Sequence, residues 1–194
     1  MTQAKLIFFA GSARQDSTNK KLARLAANMA EAEGASVTYI DLKDYPMPLY
    51  DGDLEAEAGL PENAIKLKEI FLEHDGFFIA APEYNSSISP LLKNTLDWIS
   101  RAHQEKEAPL SVYRNKVAAL GAVAPGALGG LRGLVPLRMM LSNIMVQVVP
   151  TQVAIPSGFT AFEDNGALKD ENINKMLQST IREFVQTAQA LKKA

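Results

Sequence analysis

The segment between Gly11 and Asn19, together with the two lysines that follow it, combines side chains that bind phosphate. The N-terminus of a helix exposes unpaired N–H groups and a partial positive charge, so acidic residues normally occupy its first turn. Here a helix opens with Lys20 and Lys21, and Arg14 lies just upstream, with only Asp16 to offset them. A bound phosphate would resolve this accumulation of positive charge. The neutral donors that could hold it are Ser12, Ser17, Thr18 and Asn19.

A phosphate site built from hydroxyls in place of glycines fits a mononucleotide better than a dinucleotide. Neither the G-x-x-x-x-G-K-[ST] pattern of a P-loop nor the G-x-G-x-x-G dinucleotide fingerprint is present. Asp41 ends the second predicted strand, where a dinucleotide site places its ribose-binding acid, but the glycines of that site are missing. An alternative is that Ser17 or Asn19 caps the helix while the lysines point to water.

A second polar segment, residues 82–98, follows a short apolar run. A buried strand that ends in proline turns sharply and leaves peptide N–H and C=O groups facing the ligand crevice. Such groups are suited to the pyrimidine edge of a flavin, with Tyr84 as an apolar wall. Asn85 offers two donors and an acceptor that could orient the ring or the ribityl chain. The alternative is that Pro82 only ends the strand and that Tyr84 belongs to an interface.

Together the two segments resemble a known family. G-S-x-R-x-x-S-x-N after the first strand and P-E-Y-N-x-S-x-x-x-x-L-K-N-x-x-D-W after the third are similar to the motifs of the NADPH-dependent FMN reductases, which include quinone and chromate reductases and azoreductase-like proteins. The resemblance implies a flavodoxin-like fold and non-covalent FMN. It also implies a ping-pong cycle from NAD(P)H to a small acceptor such as a quinone, chromate, an azo compound or free flavin. Flavin N5 would carry the chemistry, with no catalytic residue from the protein.

The resemblance also assigns site residues. Those that would hold the FMN phosphate are Ser12, Arg14, Ser17, Thr18 and Asn19, helped by the Lys20 amide. Those that would border the isoalloxazine are Pro82, Glu83, Tyr84 and Asn85 on one side, and Gly126, Gly129 and Gly130 on the other. This last loop departs from the family, because Ala124-Pro125 stands where many members have serine. Family members are commonly oligomers, which implies a homodimer or homotetramer with Tyr50 and Asp51 near the neighbour's flavin.

The elements that must position these loops alternate along the chain. Short apolar runs at 6–10, 37–42, 77–81, 117–123 and 146–149 predict strands. Amphipathic segments at 19–33, 62–74, 129–143 and 171–192, and one that begins at Pro90, predict helices, with a loop over 43–59. This order predicts an α/β fold with a five-stranded parallel sheet and helices on both faces, as one domain over residues 1–194. Ligands of such sheets bind beyond the carboxyl ends of the strands.

Composition removes several other functions. The chain has no cysteine, which excludes disulfides, thiolate chemistry, iron–sulfur ligation and thioether flavin links. A formal net charge of -2 gives no reason to expect nucleic acid or a membrane surface as a partner. The apolar run before Gly11 is too short to cross a bilayer, so a cytoplasmic location is expected. No metal is expected.

Two other classes of protein share the predicted topology. An electron-carrier flavoprotein would bind FMN without turning over nicotinamide, but true flavodoxins tend to be strongly acidic. A receiver-like signalling domain would need clustered acids after the first strand to hold magnesium, and this chain places Arg14 there.

Overall fold

The computed structural model describes residues 3–192. The strands in this range are β1 (Lys5–Ala10), β2 (Ser36–Tyr39), β3 (Gly76–Ala80), β4 (Glu83–Tyr84), β5 (Ser87–Ile88), β6 (Val117–Val123) and β7 (Gln147–Ile155). The helices are α1 (Thr18–Ala32), α2 (Gly52–Ala58), α3 (Glu62–Leu72), α4 (Pro90–Ser100), α5 (Leu131–Asn143) and α6 (Glu171–Leu191), with a 3-10 turn at Leu42–Asp44. Within this described range, every helix is too short or too polar to cross a membrane.

Five of the strands form one parallel sheet in the order β2-β1-β3-β6-β7. The chain runs from β1 outward to β2, returns to β3 on the other side of β1, and continues to β6 and β7. The strand order therefore reverses between β1 and β3, which is the point where flavodoxin-like sheets bind their ligand. The predicted five-stranded parallel sheet of a flavodoxin-like fold is confirmed.

Paired phenylalanines show how the sheet is buried on both faces. Phe8 and Phe9 are consecutive in β1, so their side chains point to opposite faces. Phe8 stacks on Phe78 with 5.7 Å between ring centroids, in the core that α1 and α6 cover. Phe9 lies 6.4 Å from Phe77, in the core that α3, α4 and α5 cover. Burial of both faces explains why β1 and β3 are continuous apolar runs without polar alternation.

The last strand of the sheet is longer than its sequence pattern predicts. Periodicity ends the strand at Val149, because the following Pro150 cannot donate a ladder hydrogen bond. In the structure β7 continues to Ile155, and the pairing register with β6 shifts between Ala118 and Leu120. This irregularity takes up the proline at the edge of the sheet, where an unpaired residue is tolerated.

The segment predicted as a loop over 43–59 contains structure of its own. Asp51 caps α2 by accepting a hydrogen bond from the Asp53 amide at 2.8 Å. Asp41 caps the 3-10 turn in the same way through the Lys43 amide at 3.0 Å. Both elements are short and α2 has no buried residue, so hydrophobic periodicity does not reveal them.

Candidate functional site

The loop after β1 ends in a helix terminus with free hydrogen-bond donors. Ser17 is the N-cap residue of α1, yet its hydroxyl makes no capping hydrogen bond. Its carbonyl accepts from the amides of Lys20 and Lys21 at 3.0 and 3.2 Å, whereas the amides of Thr18 and Asn19 have no acceptor within residues 3–192. No acidic residue lies in the first turn of this helix. The terminus therefore retains the donors and the positive potential that suit a phosphate.

The side chains of this loop provide buried hydroxyls and one exposed cation. Ser12 and Ser17 are buried, Thr18 is half-buried and Arg14 is exposed. The Ser12 hydroxyl accepts from the Arg14 amide at 3.3 Å, which folds the loop back on itself. The Arg14 guanidinium makes no salt bridge within the described part of the chain. Its charge is thus available to an anionic ligand.

Two residues predicted to bind the phosphate are engaged elsewhere. Asn19 is buried, and its side chain donates to the Val123 carbonyl and accepts from the Val123 amide, each at 3.0 Å. The Lys20 amide donates to Ser17, and its ammonium pairs with Asp41 at 2.6 Å. Asn19 therefore positions the loop after β6 and keeps only its backbone amide for a ligand. The Lys20 amide is engaged by the Ser17 carbonyl, so the Thr18 and Asn19 amides are the ones left for a phosphate, and the Asp41 carboxylate is already paired with Lys20.

A second hydrogen-bond bridge fixes the loop after β1 against α4. The Ser89 hydroxyl caps α4 by accepting from the Leu92 amide at 3.2 Å and donates to the Gly11 carbonyl at 2.6 Å. A β-carbon on Gly11 would lie 3.1 Å from Leu92 and 3.2 Å from Pro82, so the approach is tight. Pro82 is buried in this junction and does not line the cleft described below, so its contact with a flavin ring stays a prediction.

The loop after β3 forms a hairpin that sequence periodicity does not indicate. β4 and β5 pair antiparallel, and Asn85 and Ser86 connect them with φ values of 52° and 65°. Two left-handed residues in succession make a type I′ turn, and asparagine tolerates that conformation better than most residues. The side chains of Asn85 and Ser86 line the cleft beside the hairpin, whereas Tyr84 is exposed and lies outside that lining.

This cleft, of about 570 Å³, lies between the hairpin and residues 124–130, the loop after β6. Gly126, Gly129 and Gly130, predicted to border the ring, all line it. Gly129 and Gly130 have φ values of 59° and 92°, which explains why α5 begins at Leu131 and not at the predicted 129. A β-carbon on Gly129 would also lie 2.6 Å from the Ile155 backbone. Gly126 has nothing within 4 Å of its β-carbon position, so the fold itself does not require glycine there.

An ion pair joins the two walls of the cleft. Glu83 Oε1 lies 2.6 Å from Nη2 of Arg132 and accepts from its Nε at 2.8 Å. The Gly133 amide approaches Glu83 Oε2 at 3.4 Å. The Glu83 carboxylate thus braces the hairpin against α5, and its backbone is what remains for a ligand. Arg132 and Ser86 line the cleft without having been predicted. Arg132 lies in the first turn of α5, as Lys20 and Lys21 do in α1. The same sequence pattern, a cation at the start of a helix, would therefore have identified it.

The segment predicted to reach a neighbouring subunit is held against α4. The side-chain oxygen of Asn94 accepts from the Tyr50 amide at 2.7 Å, and the Tyr50 ring lies edge-on to Trp98 at 5.0 Å. Asp51 caps α2. The side chains of Tyr50 and Asp51 are therefore engaged within their own chain, while the adjacent Leu49 is 79% exposed.

The titratable groups with clear pKa shifts and a buried setting lie away from the cleft. Burial lowers the pKa of His74, whose Nδ1 lies 2.6 Å from the Ile70 carbonyl and whose Nε2 lies 2.8 Å from the Thr38 hydroxyl. Burial opposes ionisation of Glu107, but hydrogen bonds, among them one from Lys68 at 2.7 Å, lower its pKa to about 2. These groups hold the structure together. What the cleft offers is binding and orientation.

The residues present fit FMN. The terminus of α1 supplies free amides and buried hydroxyls for a phosphate. The Asn19 bridge keeps that terminus beside the loop that forms one wall of the cleft. The volume of the cleft is in the range that holds small ligands and cofactors, and its lining offers backbone edges and small side chains for a flat ring.

Comparison with known proteins places the chain among relatives of one kind. Residues 4–160 match the NADPH-dependent FMN reductase family. The chain is 30% identical over 181 residues to the 2-hydroxy-1,4-benzoquinone reductase of a Burkholderia species, covering 93% of each protein. It is 31% identical to a quinone reductase of Pseudomonas putida, over 90% of this chain and 89% of that protein. The solved structure of FerB, a flavoenzyme NAD(P)H:acceptor oxidoreductase of Paracoccus denitrificans, superposes with a TM-score of 0.81 at 26% identity, over 96% of this chain and 98% of that one.

The resemblance carried by the two motifs is thereby confirmed. FMN and NAD(P)H are the cofactor and co-substrate of this chain. The chain belongs to the NADPH-dependent FMN reductase family and is an FMN-dependent NAD(P)H oxidoreductase.

Proposed function

We propose that the protein oxidises NAD(P)H at an FMN held between the α1 terminus and the cleft, and that it reduces a small planar acceptor of the quinone class in a ping-pong cycle. One observation carries this proposal. A helix terminus with unpaired amides adjoins an open cleft of about 570 Å³, and the Asn19 side chain bridges the two through Val123.

The residues of the chain would divide the work of binding. The amides of Thr18 and Asn19, the hydroxyls of Ser12 and Ser17, and the Arg14 guanidinium would hold the phosphate. The hairpin and the glycine-bearing loop 124–130 would border the ring, with Asn85 and Ser86 at one edge. When bound, FMN supplies a two-electron carrier between nicotinamide and acceptor.

The form of the cleft supports a ping-pong cycle and a flat acceptor. The Glu83–Arg132 pair holds the two walls together, so donor and acceptor would enter the same opening in turn. The lining is rich in alanine, glycine and proline, and its arginine is already paired, which suits a flat organic ring better than a compact oxyanion such as chromate. The names of the relatives also favour quinones over azo compounds or free flavin.

The experiment follows the two half-reactions separately. FMN-loaded protein is mixed anaerobically with NADPH, and then with a benzoquinone, while the visible absorbance of the flavin is recorded. We expect bleaching in the first step, recovery in the second, and parallel double-reciprocal plots at steady state. Intersecting plots would contradict the ping-pong cycle. If the flavin stays oxidised with both NADH and NADPH, the proposed oxidoreductase activity is contradicted and an electron-carrier flavoprotein is favoured.

We also propose that the protein is a cytoplasmic homodimer or homotetramer. The cytoplasmic location rests on the availability of reduced nicotinamide there. The two hydrophobic cores lie on the two faces of one sheet, which supports a single domain. Leu131, Val135 and Met139 form an exposed apolar row on α5, beside the cleft, that a second copy would cover. Because Tyr50 and Asp51 are engaged within their own chain, Leu49 is the residue of that segment that would approach the neighbour's flavin. Sedimentation velocity of the wild type and of Val135→Asp tests this: a wild-type monomer would contradict it.

A further inference from the structure

A second recess, of about 260 Å³, lies beside the first turns of α1. Two elements form it: α1 with the loop before it, and the segment after β2 that carries Asp41 and Lys43. Ser17 belongs to its lining, so the recess adjoins the helix terminus proposed for the FMN phosphate. The recess and the flavin cleft have no lining residue in common. The recess is therefore distinct from the cleft, although it shares Ser17 with the proposed phosphate site.

The recess carries an excess of positive charge. Its lining contains four cations and two carboxylates, and one pair, Lys20 and Asp41, is neutralised at 2.6 Å. Outside this pair the lining has three cations, Lys21, Arg24 and Lys43, and one carboxylate, Asp16. None of the three cations forms a salt bridge within residues 3–192. Unpaired cations from two different elements around one recess point to an anionic ligand.

Arg24 is oriented before any ligand arrives. Its guanidinium carbon lies 4.1 Å from the centroid of the Tyr39 ring, a cation–π contact. Such stacking engages the face of the guanidinium and leaves the N–H donors in its plane, which match the oxygens of a phosphate. The three cations together suit a phosphate monoester, a compact group that carries between one and two negative charges at neutral pH and has three acceptor oxygens.

We propose that this recess binds the 2′-phosphate of NADPH and so makes the protein prefer NADPH to NADH. The inference rests on the proposed function, in which the nicotinamide enters the cleft. The 2′-phosphate is the one group that distinguishes the two nucleotides, and it lies at the far end of the molecule from the nicotinamide. A nucleotide that extends from the cleft past the FMN phosphate would bring its 2′-phosphate to Lys21, Arg24 and Lys43.

Charge reversal at the recess tests the proposal. Lys43→Glu is the main variant, because Lys43 lies on the segment after β2 and not on the loop or helix that would hold the FMN phosphate. Lys175→Glu is the matched control, an exposed residue on α6 outside the recess. We expect Lys43→Glu to lower kcat/KM about tenfold for NADPH, the effect of one charge-assisted contact. The kcat/KM for NADH should be unchanged, and the control should change neither value.

Equilibrium binding gives a readout that does not depend on turnover. FMN-loaded wild type and Lys43→Glu are titrated calorimetrically with 2′-AMP, 5′-AMP and inorganic phosphate. We expect 2′-AMP alone to bind the wild type, and to bind Lys43→Glu about tenfold more weakly. Inorganic phosphate that binds as tightly as 2′-AMP would show a free-phosphate site and overturn the nucleotide assignment.

The remaining outcomes are also decisive. Equal losses for NADPH and NADH in Lys43→Glu, or a wild type with the same kcat/KM for both, would overturn the proposal. Loss of FMN from Lys43→Glu would show that the recess holds the flavin phosphate instead. If neither nucleotide reduces the wild-type flavin, the proposed function fails, while the binding of 2′-AMP still reports on the recess separately.

Discussion

Replacing Asn19 with alanine distinguishes a residue that assembles the site from one that binds the ligand. The Asn19 residue is 3% exposed and exchanges two hydrogen bonds of 3.0 Å with the Val123 backbone. Alanine would leave the N–H and the C=O of Val123 buried without partners, and each unsatisfied buried group costs about 1–3 kcal/mol. The free energy of unfolding of the flavin-free protein should therefore fall by about 2–6 kcal/mol. FMN affinity should fall as well, because α1 and the loop 124–130 lose their link.

The assay measures the two effects independently. Urea unfolding of the flavin-free protein gives the free energy of unfolding, and quenching of flavin fluorescence gives the FMN affinity. Asn19→Asp is the comparison variant: its carboxylate still accepts from the Val123 amide but buries a charge against the Val123 carbonyl, so at neutral pH its stability should fall at least as far as that of Asn19→Ala. A large loss of FMN affinity with an unchanged free energy of unfolding would refute this reasoning and make Asn19 a direct ligand of the phosphate.

Further substitutions separate ligand contacts from structural ones. Arg14→Ala should weaken FMN binding by about 1.5 kcal/mol, a low value for a charge-assisted hydrogen bond because the side chain is exposed, and an unchanged affinity in a fluorescence titration would contradict its phosphate role. Gly126→Leu should lower the FMN content of the purified protein at an unchanged melting temperature, since its side chain would enter open space beside the cleft. Gly129→Ala should instead lower the melting temperature, because its β-carbon would lie 2.6 Å from backbone at a φ of 59°, and the reverse pattern would contradict both assignments. His74→Gln should reduce acid sensitivity: burial lowers the pKa of His74, so the unfolded chain takes up the proton first, and the wild type should lose stability only as the pH falls below about 6.5. Equal slopes of unfolding free energy against pH for variant and wild type would count against that role.

The fold was accessible from sequence because its signals are local. Phe8, Phe9, Phe77 and Phe78 lie in apolar runs that only a sheet covered on both faces can bury, and the structure covers both faces. The order of those runs was sufficient to predict the parallel sheet. The hairpin at Asn85 lacked such a signal, since its strands have two residues each and no periodicity can be read over that length.

The site was predicted less completely, because the type of a residue does not determine which group its side chain will bond to in the folded chain. An asparagine at a helix start is equally suited to a phosphate and to a distant backbone, and Asn19 pairs with Val123, which is 104 positions along the chain. The charge of Lys20 suggested an anionic ligand, and the structure gives it Asp41 instead. The general signal was still informative, since the terminus keeps free amides and the neighbouring Lys21 lines a cationic recess.

The position of FMN in a crystal of the flavin-loaded protein is the most direct measurement of where the site lies. We predict a phosphate within hydrogen-bond distance of the Thr18 and Asn19 amides and a ring between the hairpin at Asn85 and the loop 124–130. A phosphate seated between Arg24 and Lys43, or a ring outside the cleft, would contradict the assignment.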